Sequence, residues 1–264
     1  GDDIANGQGG NDTLNGNDGD DILNGGTGDD IVNGGAGNDT IIYDVGVAGG
    51  GRDIVDGGAG TDTFILNGNA SAETFRVYSR ASWLALAGNT AGQLNAGTEI
   101  VITRNGTNNA SVIAELRGIE EILINTGAGN DTVLAIGNFS PTSLSFNTIY
   151  VNGGEDNDTL DITGLQSPHR VVFTSNGGND RVIGALRPQD IISFGEDVDP
   201  SQITELINSD GTKKLVYETS SVHLEGEPKA EPPKVDPPKP DSIVLKGTAR
   251  SDTLNGGDGD DTLH

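Results

Sequence analysis

Cysteine and methionine are both absent from the 264 residues, tryptophan occurs once, at Trp83, and aromatic residues make up only 4% of the chain. Without cysteine there can be neither disulfides nor thiolate zinc sites, a composition that fits export without oxidative folding. At 33% hydrophobic residues, the chain offers little material for one large packed core. No run approaches the ~20 apolar residues of a membrane-spanning helix, and no signal peptide opens the chain. Positive charge is scarce too: 15 Lys and Arg stand against 40 Asp and Glu, a formal net charge of −25. That balance disfavours nucleic acid and anionic membranes as partners, so neither nucleic-acid binding nor membrane insertion is expected.

Glycine is abundant, at 41 residues, roughly twice the usual share. Low hydrophobicity with high net charge ordinarily signals disorder, unless the glycines and acids recur at a fixed period, which implies a stacked architecture. They do recur. The nonapeptides GQGGNDTLN (7–15), GNDGDDILN (16–24), GGTGDDIVN (25–33) and GGAGNDTII (34–42) follow one another, and AGGGRDIVD (48–56) and GGAGTDTFI (57–65) come after a gap. Looser copies are TGAGNDTVL (126–134), GGEDNDTLD (153–161) and SNGGNDRVI (175–183), and the pattern restarts at GTARSDTLN (247–255) and GGDGDDTLH (256–264). Two residues after each repeated Asp stands an apolar residue: Ala5, Leu14, Leu23, Val32, Ile41, Val55, Phe64, Val133, Leu160, Val182, Leu254 or Leu263.

The six Gly-, Asn- and Asp-rich residues of a repeat tolerate positive φ and tight turns, and the three that follow are β-formers. Each nonapeptide therefore reads as a turn and a short strand whose middle side chain faces inward. A three-residue strand cannot stand alone, but stacked copies bury a continuous aliphatic column. A charge of −25 opposes compaction, and hard divalent cations with oxygen ligands relieve it. Two stacked turns offering backbone carbonyls and an Asp carboxylate supply about six oxygens, which suits Ca²⁺ better than the smaller, reluctantly dehydrated Mg²⁺.

These runs resemble the GGxGxDxUx repeat of the haemolysin-type calcium-binding (repeats-in-toxin, RTX) family. The resemblance implies a right-handed parallel β-roll, two nonapeptides per coil, with calcium between turns on the same side. It pairs Asp3 with Asp21, Asp12 with Asp30, and Asp21 with Asp39. The 14-residue step from Asp39 to Asp53 breaks the phase, so Asp53 and Asp62 are expected to bind through the next coil. By the same likeness the metal ligands comprise Asp3, Asp12, Asp21, Asp30, Asp39, Asp53, Asp62, Asp131, Asp158, Asp180, Asp252 and Asp261. Carbonyls of the turn glycines Gly7, Gly9, Gly16, Gly25, Gly26, Gly28, Gly34, Gly35, Gly37, Gly57, Gly58 and Gly60 complete the set. The doubled acids Asp2, Asp20, Asp29 and Asp260 read as solvent-facing side chains.

The expected fold is all-β: a calcium-bound parallel β-roll over 1–65, a looser β-solenoid over 66–185, and a cap over 186–226. A Pro-rich linker over 227–241 and the start of a second repeat block over 242–264 follow. Segments ETFRVYS, TEIVITR, ASVIAELRG and EEILINTG read as strands of wider coils. In the cap, Asp199-Pro200-Ser201 signals a helix start and Ser209-Asp210-Gly211 a hairpin turn. Residues 169–192 resemble sequence near the C-terminal repeats of bacterial animal-type haem peroxidases. Both ends of the chain fall within a repeat, and further segments are expected beyond them.

No GxSxG, HExxH, Walker or dinucleotide fingerprint is present, and His169, His223 and His264 lack metal-site spacing. No catalytic residue and no organic cofactor site is predicted. The reading is a non-enzymatic calcium-binding structural module, with several Ca²⁺ ions as cofactor, of an extracellular or cell-surface protein. By family resemblance it engages a type I secretion machinery and folds on calcium outside the cell. The alternatives are a calcium-dependent adhesion or glycan-binding module, with its surface in 66–165, and a non-catalytic fragment of a secreted enzyme.

Overall fold

The computed structural model describes residues 1–46, 50–145, 149–195, 198–226, 244–245 and 262–263. The chain divides into one unit from Gly1 to Pro228 and a second from Lys229 to His264. The expected linker over 227–241 and the ligand residues Asp252 and Asp261 lie outside the described residues, as does Asp260.

Strands of the first unit alternate between two sheets, as a turn–strand repeat with one inward side chain demands. The first sheet is, in spatial order, β1 (Ile4–Asn6), β3 (Ile22–Asn24), β5 (Thr40–Asp44), β7 (Thr63–Asn67), β11 (Glu121–Asn125), β13 (Ile149–Gly154), β15 (Val171–Ser175) and β17 (Ile191–Ser193). Every pairing in it is parallel. The second begins β2 (Thr13–Asp18), β4 (Ile31–Ala36), β6 (Asp53–Ala59), β10 (Val112–Arg117), β9 (Ile100–Arg104) and β8 (Thr74–Ser79). It continues through β12 (Thr132–Ile136), β14 (Thr159–Asp161), β16 (Asn179–Ile183), β20 (Ser220–Glu225), β19 (Lys213–Tyr217) and β18 (Thr204–Ile207). The fold is therefore all-β and mostly parallel. In the second unit Val244–Leu245 (β21) pairs in parallel with Thr262–Leu263 (β22).

The inward column forms as the repeat predicts. Leu14, Leu23, Val32, Ile41, Val55, Phe64, Val133, Leu160 and Val182 are buried in one continuous core, with Ala5 packed at its edge. Fully burying such a side chain contributes about 1.5–3 kcal/mol. The 14-residue step after Asp39 leaves the stacking register intact: Val32 still pairs with Val55 and Ile41 with Phe64. The extra residues lengthen one coil and leave the strands in phase.

Segment 66–125 departs from the wider coils expected of it. The predicted strands exist, but β8, β9 and β10 pair antiparallel, and β10 then returns in parallel beside β6. The excursion builds a second small core outside the sheet from Tyr78, Trp83, Leu94, Val101 and Val112. Trp83, on the short helix α1 (Arg80–Leu84), is fully buried there. A solenoid coil needs one inward face, whereas β9 and β10 bury nearly every residue on both faces. That double-sided burial is why the segment folds back on itself.

In the cap region, Pro200–Gln202 forms a 3₁₀ turn in place of a helix, opened by Asp199 Oδ1 accepting the Ser201 amide at 2.9 Å. The hairpin forms between β18 and β19, and β19 pairs with β20, which extends the parallel ladder from β16.

The outer face of the first sheet carries a ladder of amides. The Asn176 side chain donates to Asn152, Asn152 to Asn125 (3.4 Å), Asn125 to Asn67 (2.8 Å) and Asn67 to Asp44 Oδ1 (2.8 Å). From the other side Asn24 donates to Asp44 Oδ2 at 2.8 Å.

Candidate functional site

The repeated aspartates line up at the turns in two rows. In the first row the amide of Asp3 donates to Asp21 Oδ1 (2.7 Å), Asp21 to Asp39 (2.9 Å), Asp39 to Asp62 (2.8 Å) and Asp62 to Glu120 Oε2 (2.8 Å). In the second row Asp12 donates to Asp30 (2.8 Å) and Asp30 to Asp53 (3.0 Å). Further along the same sheet Glu73 donates to Asp131 (2.7 Å), Asp131 to Asp158 (2.8 Å) and Asp158 to Asp180 (2.8 Å). The pairs Asp3–Asp21, Asp12–Asp30 and Asp21–Asp39 are thus brought together, and Asp53 and Asp62 join the rows by stacking on Asp30 and Asp39.

Asp21, Asp30, Asp39, Asp53, Asp62, Asp131, Asp158 and Asp180 each spend one oxygen on a neighbour's amide. Oδ2 of Asp12, Asp21, Asp30, Asp39, Asp62, Asp131, Asp158 and Asp180 is buried with no hydrogen-bond partner. A buried polar atom without a partner costs about 1–3 kcal/mol, more when charged. Eight of them in register leave acceptors that bound cations would satisfy.

The turn glycines crowd these same oxygens. A Cβ on Gly16 would lie 2.2 Å from Asp21 Oδ2 and 2.4 Å from the Gly34 carbonyl, and one on Gly34 would lie 2.3 Å from Asp39 Oδ2 and 2.5 Å from the Gly57 carbonyl. Gly7, Gly25, Gly57 and Gly153 stand likewise against Asp12, Asp30, Asp62 and Asp158. Gly35 and Gly37 adopt φ of 118° and 137°, a region open to glycine, and pass so close to the Asn17 and Gly19 carbonyls that no side chain fits. Carboxylate and carbonyl oxygens therefore converge at these turns, where the Thr126 hydroxyl also donates at Asp131 and the Ser175 hydroxyl at Asp180. Among the described residues no three acidic or histidine side chains gather around one point, so a cation at a turn would be held by paired carboxylates and backbone carbonyls. An all-oxygen, flexible, anionic donor set of this kind fits Ca²⁺.

Electrostatics point the same way. Burial pushes the Asp53 carboxyl up to about 8, against the hydrogen bond from the Asp30 amide. Burial likewise raises Asp158 to about 7 and Asp62 and Asp131 to about 6. It raises Asp39 and Asp180 as well, with the Asp21 charge adding to the shift at Asp39. A cation in the row would reverse this logic by favouring the charged form.

The doubled acids are exposed, as expected, but they are also engaged. Asp2 Oδ1 accepts the Asp20 amide (3.0 Å), Asp20 Oδ1 the Asn38 amide (2.6 Å) and Asp29 Oδ1 the Arg52 amide (2.9 Å). These bonds run opposite to those of the buried aspartates, so neighbouring turns are stitched in both directions.

Two residues of the rows, Glu73 and Glu120, are not among the predicted ligands; Glu120 accepts the Asp62 amide where the next aspartate would stand. Glu73 takes the aspartate place in GNASAETFR (68–76), where Gly68 stands five residues before it and Phe75 two after. Those two positions were the available signal. Buried His169 bridges the Ser167 hydroxyl and the Leu144 carbonyl, His223 lies on β20, and His264 lies outside the described residues. Arg181 pairs with Glu225, Arg187 with Asp190, and Arg170 reaches the Tyr150 hydroxyl.

A family model described as the RTX calcium-binding nonapeptide repeat matches the chain four times, at residues 1–32, 25–64, 44–70 and 244–264. No curated protein matches it. Among the described residues no helix is long and apolar enough to cross a membrane. Residues 1–70 and 244–264 thus match RTX calcium-binding nonapeptide repeats, the repeat of the haemolysin-type calcium-binding family.

Proposed function

We propose that the module is a calcium-triggered folding device of a secreted protein, expanded by its own charge inside the cell and compacted by calcium outside it. The observation that carries this reading is the register of buried, partnerless carboxylate oxygens along both rows. The ligand pairs are Asp3–Asp21, Asp21–Asp39 and Asp39–Asp62 on one side, and Asp12–Asp30, Asp30–Asp53, Asp131–Asp158 and Asp158–Asp180 on the other. Carbonyls of the turn glycines complete each set. Because these sites do not exist in the unfolded chain, binding free energy becomes folding free energy. Export as an unfolded chain through a type I secretion machinery suits such a switch, and the module's role is structural, not catalytic.

Far-UV circular dichroism during a calcium titration, with magnesium as control, tests it. A coil-to-β transition driven by calcium and not by magnesium is expected. A β spectrum unchanged by chelator would refute calcium-triggered folding.

A second reading, glycan binding, is favoured by one feature. A groove on the first sheet is lined by Asn125, Tyr150, Asn152, Thr174 and Asn176, which sets an aromatic ring beside a row of amides. Glycan-array binding that vanishes with chelator would establish it.

A further inference from the structure

Glu73 occupies a calcium-row position, yet its surroundings differ from every other member of its run. Its amide donates to Asp131 Oδ1 at 2.7 Å, and its carbonyl accepts the Thr132 amide at 2.9 Å. Asp131 makes the same two bonds to Asp158 Oδ1 and the Thr159 amide. Gly68 crowds it as the other glycines crowd their aspartates: a Cβ there would lie 2.8 Å from Glu73 Oε2 and 2.2 Å from the Thr126 carbonyl. By backbone and register this is one more turn of the row.

The carboxylate is not partnerless, however. Oε2 accepts the Asn69 amide at 3.0 Å, and Oε1 accepts from Arg104 Nε at 2.5 Å and pairs with Arg104 Nη2. The Glu73 side chain is 0% exposed and that of Arg104 25%. Glutamate is one methylene longer than aspartate, which carries its carboxylate to a guanidinium supplied by β9 of the excursion. That guanidinium stays charged at any accessible pH, and no chelator removes it.

We infer that Arg104 is the built-in cation of the Glu73 turn, taking the place of calcium there and splitting the second-sheet sites into two groups that load separately. The inference rests on the calcium reading of the neighbouring turns. On the far flank of the excursion the row also stops, because Ala114 stands in register with Asp53 and offers no carboxylate. There Arg52 is held by Glu115 (Nη2 at 2.6 Å, Nε at 3.0 Å) and Asn109 (2.9 Å). Both borders of 73–117 are thus closed by ion pairs, and the second core around Trp83 fills the space between. This segment is a metal-independent platform, flanked by the Asp12–Asp30–Asp53 group on one side and the Asp131–Asp158–Asp180 group on the other.

The test uses the full chain. Hydrogen exchange in chelator is expected to show protection in 74–117 while 1–46 and 131–183 exchange freely. Arg104→Gln should raise exchange in 74–117 roughly tenfold or more, since it strands a buried carboxylate. Calcium stoichiometry by titration calorimetry is the second arm: Glu73→Asp combined with Arg104→Ser should bind one more ion than the natural chain. Absence of chelator-resistant protection in 74–117, unchanged exchange in Arg104→Gln, or an unchanged ion count in the double variant would each overturn the inference. If the natural chain binds no calcium at all, the calcium reading fails on its own. The exchange arm still reports whether Arg104 holds the platform.

Discussion

The amide of Asp131 donates to Oδ1 of Asp158 at 2.8 Å, while Oδ2 of each residue is buried without a partner. One half of each carboxylate belongs to the backbone stack and the other half to something the chain does not supply. On the proposed reading, calcium binding and coil stacking share the same side chains.

This division gives a substitution whose sign depends on the metal. Asp158→Asn keeps an acceptor for the Asp131 amide but removes a charge that burial disfavours. In chelator the variant is expected to hold at least as much residual β-structure as the natural chain. In saturating calcium it should be destabilised by about 1–3 kcal/mol and bind fewer ions. Far-UV circular dichroism in chelator and denaturant melts in calcium check the two signs.

Acidity should act in opposite directions on the two states. The folded carboxyls of Asp53, Asp158, Asp62 and Asp131 are raised by burial to about 8, 7, 6 and 6, above the unfolded value of about 4. The metal-free fold then holds more protons than the unfolded chain across that interval. Its stability is greatest near the unfolded value and is lost as pH rises through 6 to 8. Calcium competes with those protons, so its affinity should fall on acidification over the same window. Thermal melts in chelator and calcium titrations at pH 5.5 and 8.5 measure the two trends.

The glycine cradles make a steric prediction. Gly34→Ala would place a methyl 2.3 Å from Asp39 Oδ2 and 2.5 Å from the Gly57 carbonyl. It is expected to cost about 1–3 kcal/mol as overpacking and to remove calcium at that turn. Gly92→Ala has open space around it and serves as the neutral control. Calorimetric ion counts and melts of both variants decide the point.

Trp83 is the chain's only tryptophan and sits in the core of the excursion, away from the aspartate rows. Its emission should stay blue-shifted in chelator while the far-UV signal of the repeats collapses. Trp83→Ala should cost about 3–5 kcal/mol in that segment and leave the number of bound ions unchanged. Fluorescence and calorimetry report the two quantities separately.

Where the nine-residue period runs unbroken, position alone located turn, strand and inward side chain, as at Leu14, Leu23, Val32 and Ile41. The period encodes a contact with the next coil, and neighbouring coils there lie 18 residues apart, as Asp12 and Asp30 do. Glu73 was hidden because its partner Asp131 lies 58 residues on and because glutamate breaks the aspartate rule. The antiparallel excursion was hidden for the same reason at larger scale. β-forming composition announces strands such as Ile100–Arg104 and Val112–Arg117, but the direction of pairing is settled by tertiary contacts. The partnerless oxygens had no signature in sequence at all, since only stacking reveals that Oδ1 is used and Oδ2 is not.

The amide ladder on the first sheet has a sense of direction. An asparagine passes one donor forward and takes one acceptor contact behind, so a row of them points one way like arrows in a file. Asp44 has no hydrogen to pass on and two oxygens to receive, and Asn67 and Asn24 point at it from opposite sides. It is the place where the file turns to face itself. An asparagine there would have to aim its own amide at one of two approaching amides, so a single carboxylate sets the orientation of every side chain in the row.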